Sequence, residues 1–138
     1  MRNRAYRIFL SHKIKDRHHA HEIKTKIETL NPKEVKVYVC EECPPGQKYR
    51  EAILRRLKAS DLLIFLYTSA GMQFDWCLYE TGFYDAKHVD KLKVSQRRPL
   101  VVLYGRGMVV PPPLEVFENY QVDAEKPERL MDFLAWLF

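Results

Sequence analysis

The sequence predicts an α/β fold: a five-stranded parallel sheet, doubly wound, with helices on both faces. Two observations carry that expectation. Short apolar runs of strand length alternate with stretches whose apolar residues recur at helical spacing. One of the runs, "DLLIFLYT" from Asp61 to Thr68, is apolar without alternation, as a strand covered on both faces should be. The chain has 138 residues, enough for one core and one domain.

The elements follow in order. "YRIFLS", Tyr6 to Ser11, is the first strand. Asp16 is placed to cap a helix whose apolar positions Ala20, Ile23, Ile27 and Leu30 keep helical spacing, stopped by Asn31 and Pro32. "VKVYV", Val35 to Val39, is the second strand, and the loop "CEECPPGQ" follows it. Tyr49, Ile53 and Leu57 stripe a second helix, and "DLLIFLYT" is the central strand. After "SAGMQF", Asp75 is placed to cap a third helix. "PLVVLY" is the fourth strand, and "YQV" fits a short edge strand beyond the Pro111 to Pro113 loop. Pro127 opens a last helix carrying Leu130, Phe133, Leu134 and Leu137 on one stripe. Right-handed crossovers between such strands make the sheet parallel, and five strands in this length suit the flavodoxin-like form.

Composition excludes several classes. An apolar fraction of 46% and a charged fraction of 30% are those of an ordinary soluble globular protein. The sequence holds no apolar run of membrane-spanning length, and "MRNRAYRIFLSHK" lacks a secretory core, so a cytoplasmic chain is expected. Three cysteines, Cys40, Cys43 and Cys77, suit a reducing compartment rather than a disulfide framework. The net charge of +5 is spread in small clusters such as "LRR" and "QRR". Solvated helix faces account for most of it; a phosphate-bearing partner is compatible, and nothing specifies nucleic acid.

A sheet of this kind binds ligands beyond the carboxyl ends of its strands, where strand order reverses between the first and third. The segments there are "SHKIKD", "CEECPPGQKY" and "TSAGMQFDW", beside the start of the third helix. That helix reads "DWCLYETGFY", with Trp76, Glu80 and Tyr84 four residues apart on one stripe. Flanking rings desolvate a carboxylate and push its pKa upward, which suits acid–base or charge-stabilising work. Pairing of Glu80 with a Lys or Arg nearby is the alternative on spacing alone.

"RIFLSH", "PPGQKY", "SDLLIFLYT" and "DWCLYETG", in this order, resemble a Toll/interleukin-1 receptor (TIR) domain, and more narrowly the bacterial ones. The resemblance runs from about Tyr6 to the final helix, and its most specific piece is Trp-Cys-x-x-Glu directly after the third strand. Many bacterial and plant members, and one animal member, cleave the nicotinamide–ribose bond of NAD⁺. The resemblance therefore implies an NAD⁺ glycohydrolase with Glu80 as the catalytic carboxylate. It implies a pocket lined by Ser11, His12 and Lys13, by Gly46 and Tyr49 of the second loop, and by Trp76. Lys13 would offer a cation to the pyrophosphate. It also implies activation by self-association, with the loop at Cys43 to Gln47 as a contact, and a bacterial anti-phage setting. The whole of residues 1–138 would be one TIR domain, the N-terminal part of a longer protein with a fused sensor or effector.

No glycine-rich dinucleotide fingerprint follows the first strand, so NAD⁺ is expected as a consumed substrate rather than a cofactor. Two further readings stand beside this one: a non-enzymatic TIR–TIR signalling module, and an enzyme acting on nucleotides other than NAD⁺. Linear and cyclic ADP-ribose are both open as products. Cys40 and Cys43 have metal-ligand spacing without a second pair, and His18, His19 and His21 are spread round their helix, so no metal site is expected.

Overall fold

A computed structural model describes residues 4–31, 33–39, 49–68, 75–91, 93–122 and 127–137 of the chain. Within helices and turns, the side chains of Ile14, Tyr49, Arg50, Asp75, Trp76 and Gln96 are outside that description. The strands are β1 (Tyr6–Ser11), β2 (Val35–Val39), β3 (Leu62–Tyr67), β4 (Leu100–Tyr104) and β5 (Glu118–Gln121). The helices are α1 (Arg17–Leu30), α2 (Tyr49–Ala59), α3 (Asp75–Tyr84) and α4 (Pro127–Leu137). All strand pairs are parallel and the order is β2-β1-β3-β4-β5, the flavodoxin-like arrangement expected from the alternation of runs.

Side-chain parity along the strands divides the core in two. Ile8 and Leu10 of β1 face α1 and α4, with Ala20, Ile23, Ile27, Leu130, Phe133 and Leu134 packed against them. Phe9 faces the other way, toward Ile53 and Leu57 of α2 and Cys77 and Tyr84 of α3. The β3 run is buried from Leu62 to Leu66 and sits in the middle of the sheet. Ser11 shares the parity of Phe9 and therefore points toward the α2–α3 face, which brings a hydroxyl to the carboxyl edge of the sheet there.

The α1 stripe holds at Ala20, Ile23 and Ile27 but not at its end: Leu30 is 51% exposed. Asp16 occupies the position before α1, inside a 3₁₀ turn, and its side chain makes no capping hydrogen bond. Beyond Tyr84, α3 widens into a π turn over Asp85–Val89, which periodicity did not anticipate. At the end of β4 the chain passes very close to β3. A Cβ on Gly105 would stand 3.0 Å from the Thr68 carbonyl oxygen, so a larger residue would have to push the Thr68 backbone back by a few tenths of an ångström.

Candidate functional site at the carboxyl ends of β1 and β3

The buried stripe of α3 consists of Cys77, Glu80, Thr81 and Tyr84, continuing to His88 in the π turn. This helix has its polarity partly reversed. Glu80 is 2% exposed, while its neighbours Leu78 and Tyr79 face outward at 44% and 37%. Burying a carboxylate while exposing a leucine opposes folding stability, and such local conflicts concentrate at functional sites.

Among the described residues Glu80 meets one partner. The Ser11 hydroxyl donates to Oε1 at 2.8 Å, joining residues 69 apart in sequence. Oε2 is buried and without a hydrogen-bond partner among the described residues. Burial pushes the carboxyl up to about 7, against the opposing pull of the Ser11 hydrogen bond. Among the described residues no cation pairs with Glu80, so the salt-bridge alternative finds no partner here. Thr81, the other polar member of the stripe, satisfies itself by donating to the Cys77 carbonyl at 2.8 Å.

His12 and Lys13 follow Ser11 just beyond the carboxyl end of β1. His12 Nδ1 lies 2.6 Å from the Lys13 carbonyl oxygen. A carbonyl only accepts, so Nδ1 carries the hydrogen and Nε2 is the acceptor of the neutral ring. That Nε2 is buried and has no partner among the described residues. Lys13 is 4% exposed, so it is not the solvated lysine that a loop position suggests. Tyr49 begins α2 and Trp76 lies in the first turn of α3, but neither side chain is described. Gly46, like Cys40, Cys43 and the Cys43 to Gln47 contact loop, lies outside the described residues. The structure thus joins Ser11 to Glu80 directly and leaves the placement of Gly46, Tyr49 and Trp76 around them open.

A separate cleft of about 280 Å³ opens at the opposite, amino edge of β1 and β2. Arg7, Lys36, Tyr38, Arg56 and Ser60 line it, with the Arg56 guanidinium 4.9 Å above the Tyr38 ring. Of these cations Arg56 stands in the last turn of α2, where a positive charge suits the helix dipole. Among the described residues no group of three or more His, Cys, Asp or Glu side chains could hold a metal ion. No helix among them is long and apolar enough to cross a membrane.

The sequence profile of the TIR domain matches residues 8–131, nearly the whole chain. The chain belongs to the TIR domain family. Its fold is similar to that of a Clostridium botulinum CMP N-glycosidase, BcmB, with a TM-score of 0.63. The two are 15% identical over 96% of this chain and 99% of that one. No curated protein matches the sequence. As a TIR domain, the chain has its Trp-Cys-x-x-Glu segment opening α3 directly behind the central strand, as the resemblance in sequence implied.

Sequence reasoning found Glu80 through its spacing and Ser11 through its strand end. It missed that the two bond to each other. The available signal was parity: Phe9 and Ser11 share a face, and that face carries the helix that follows β3.

Proposed function

We propose that this TIR domain cleaves the N-glycosidic bond of a nucleotide, with NAD⁺ as substrate and Glu80 as the catalytic carboxylate. One observation carries the reading. Glu80 is sealed at the carboxyl edge of the sheet with Oε2 unpartnered and without a cation among the described residues. A scaffold has no use for such a group, which weakens the fold. In the reaction the C1′–N bond of the nicotinamide riboside breaks and its electron pair leaves with the pyridinium nitrogen, giving neutral nicotinamide. The ribosyl centre becomes oxocarbenium-like, and an ionised Glu80 beside it lowers the energy of that charge. Water then adds at C1′ and loses a proton, giving ADP-ribose; attack by the substrate's own adenine instead gives a cyclic product. Nicotinamide leaves readily, so a second carboxylate is not required.

His12, Lys13, Gly46, Tyr49 and Trp76 would form the pocket beside Ser11 and Glu80, with NAD⁺ consumed rather than retained. Self-association through TIR–TIR contacts would complete the site and switch it on, with a fused sensor or effector domain supplying the trigger in a cytoplasmic anti-phage role. A second substrate reading has its own support: the fold is shared with a protein described as a CMP N-glycosidase, so a pyrimidine nucleotide is the competing substrate. The test is base release from NAD⁺ and from CMP by the concentrated, crowded domain, for wild type and Glu80→Ala. Nicotinamide release that is lost in Glu80→Ala supports the proposal. Cytosine release with no nicotinamide moves the substrate to CMP. No release from an assembled wild type favours the non-enzymatic signalling module.

A further inference from the structure

The site holds one contact whose chemistry reaches beyond lining a pocket. Ser11 is fully buried, so its hydroxyl is shielded from solvent, and it already donates to Glu80 Oε1. Its place is set by the sheet: β1 pairs in register with β3 up to Ser11 opposite Phe65, so the hydroxyl rides on a strand hydrogen-bonded within the sheet. Glu80 is set equally firmly, between Cys77 and Tyr84 on the packed stripe of α3. A hydroxyl that donates to one carboxylate oxygen fixes the rotation of the group. The second oxygen, Oε2, then has a defined direction and no other partner among the described residues.

We infer that Ser11 is a positioning residue for Glu80: its hydroxyl holds Oε1 and keeps Oε2 available to face the ribosyl centre of the substrate. This deepens the N-glycosidase reading and rests on it. Ser11 therefore acts through Glu80 rather than by binding substrate, which departs from the pocket-lining role that family resemblance implied. A donor on Oε1 favours the ionised carboxylate, the form the reaction needs, against the burial that disfavours it. The other described titratable side chains on the elements packed together here are Tyr6, Arg7 and Tyr67 on β1 and β3, Glu51, Arg55, Arg56 and Lys58 on α2, and Cys77, Tyr79 and Tyr84 on α3. His12 and Lys13 follow β1, and His88, Asp85 and Lys87 lie in the π turn. None of these is a source of the displaced Glu80 equilibrium; burial and Ser11 are.

The test is the pH profile of kcat/KM for base release by wild type, Ser11→Ala and Ser11→Cys. Removing the donor should move the acid limb to higher pH, so that Ser11→Ala is about fivefold slower than wild type at pH 7 and the gap narrows in alkali. Ser11→Cys, nearly isosteric but a weak donor, should fall between the two. A loss that is uniform across pH, or an unmoved limb, overturns the inference. Carboxyl-carbon NMR titration of Glu80 in the same variants reads the effect without turnover. If wild type releases no base from any nucleotide, the N-glycosidase reading fails. The titration then decides separately, an unchanged midpoint in Ser11→Ala counting against positioning and a raised one supporting it.

Discussion

Glu80 lies one helical turn before Tyr84 on the buried stripe of α3, and each carries a buried oxygen without a hydrogen-bond partner among the described residues. The two differ in what their removal should do. Tyr84 is fully buried, its ring edge-on to His88 with centroids 4.7 Å apart, and burial pushes its phenol above the usual range. Its ring packs the core while its hydroxyl is an uncompensated cost. Tyr84→Phe should therefore stabilise the domain by about 1 kcal/mol in denaturant unfolding and leave base release intact. A clear loss of stability would show that the hydroxyl has a partner that matters.

Glu80 should make stability depend on pH. Its folded-state pKa of about 7 exceeds the ordinary 4.5, so the folded chain binds the proton more tightly than the unfolded chain. The associated stability is complete below the lower value, declines as pH rises between the two and is gone above the upper. The loss is about 3 kcal/mol, set by the energy of ionising a buried carboxyl. Glu80→Gln removes this slope. The difference between mutant and wild-type unfolding free energies should shift in the mutant's favour from pH 4 to pH 8, and a flat difference contradicts the buried, unpaired carboxyl.

The outer edge of the sheet is closed by side chains. On β2 the Val37 N–H donates to Glu28 Oε2 at 2.9 Å, and Lys24 Nζ donates to the Val37 carbonyl at 2.8 Å. The two α1 side chains also pair with each other at 3.7 Å. Free backbone groups on an edge strand invite pairing with another chain, and here those of Val37, in the middle of β2, are occupied. Lys24→Ala combined with Glu28→Ala should raise concentration-dependent self-association, read by sedimentation velocity. An unchanged distribution would mean that the edge is protected by its twist or by other groups.

Much of this arrangement was legible in the residues, for identifiable reasons. The unbroken apolar run of β3 announced a central strand because only a strand covered on both faces tolerates it. Glu80 stood out because a carboxylate four residues from Trp76 and Tyr84 must share their stripe. Other features need three dimensions. Leu30 fits the α1 stripe, yet as the last residue of the helix it is exposed. The Ser11–Glu80 bond depends on which face α3 covers, and the burial of Lys13 depends on the fold of the turn after β1. Lys24 and Glu28 lie one turn apart on α1, and their shared backbone partner sits on a different element. The reversed polarity of α3, with Leu78 out and Glu80 in, becomes visible only once burial is known.

The most direct measurement of the central claim is nicotinamide release from NAD⁺ by the assembled domain, compared between wild type and Glu80→Gln across pH 5 to 9. The account predicts a wild-type rate that rises through the region near pH 7 as the carboxyl ionises, and a loss of about a hundredfold or more in Glu80→Gln above pH 7 that narrows toward pH 5, where the wild-type carboxyl is itself protonated. Nicotinamide release by Glu80→Gln at the wild-type rate would contradict it.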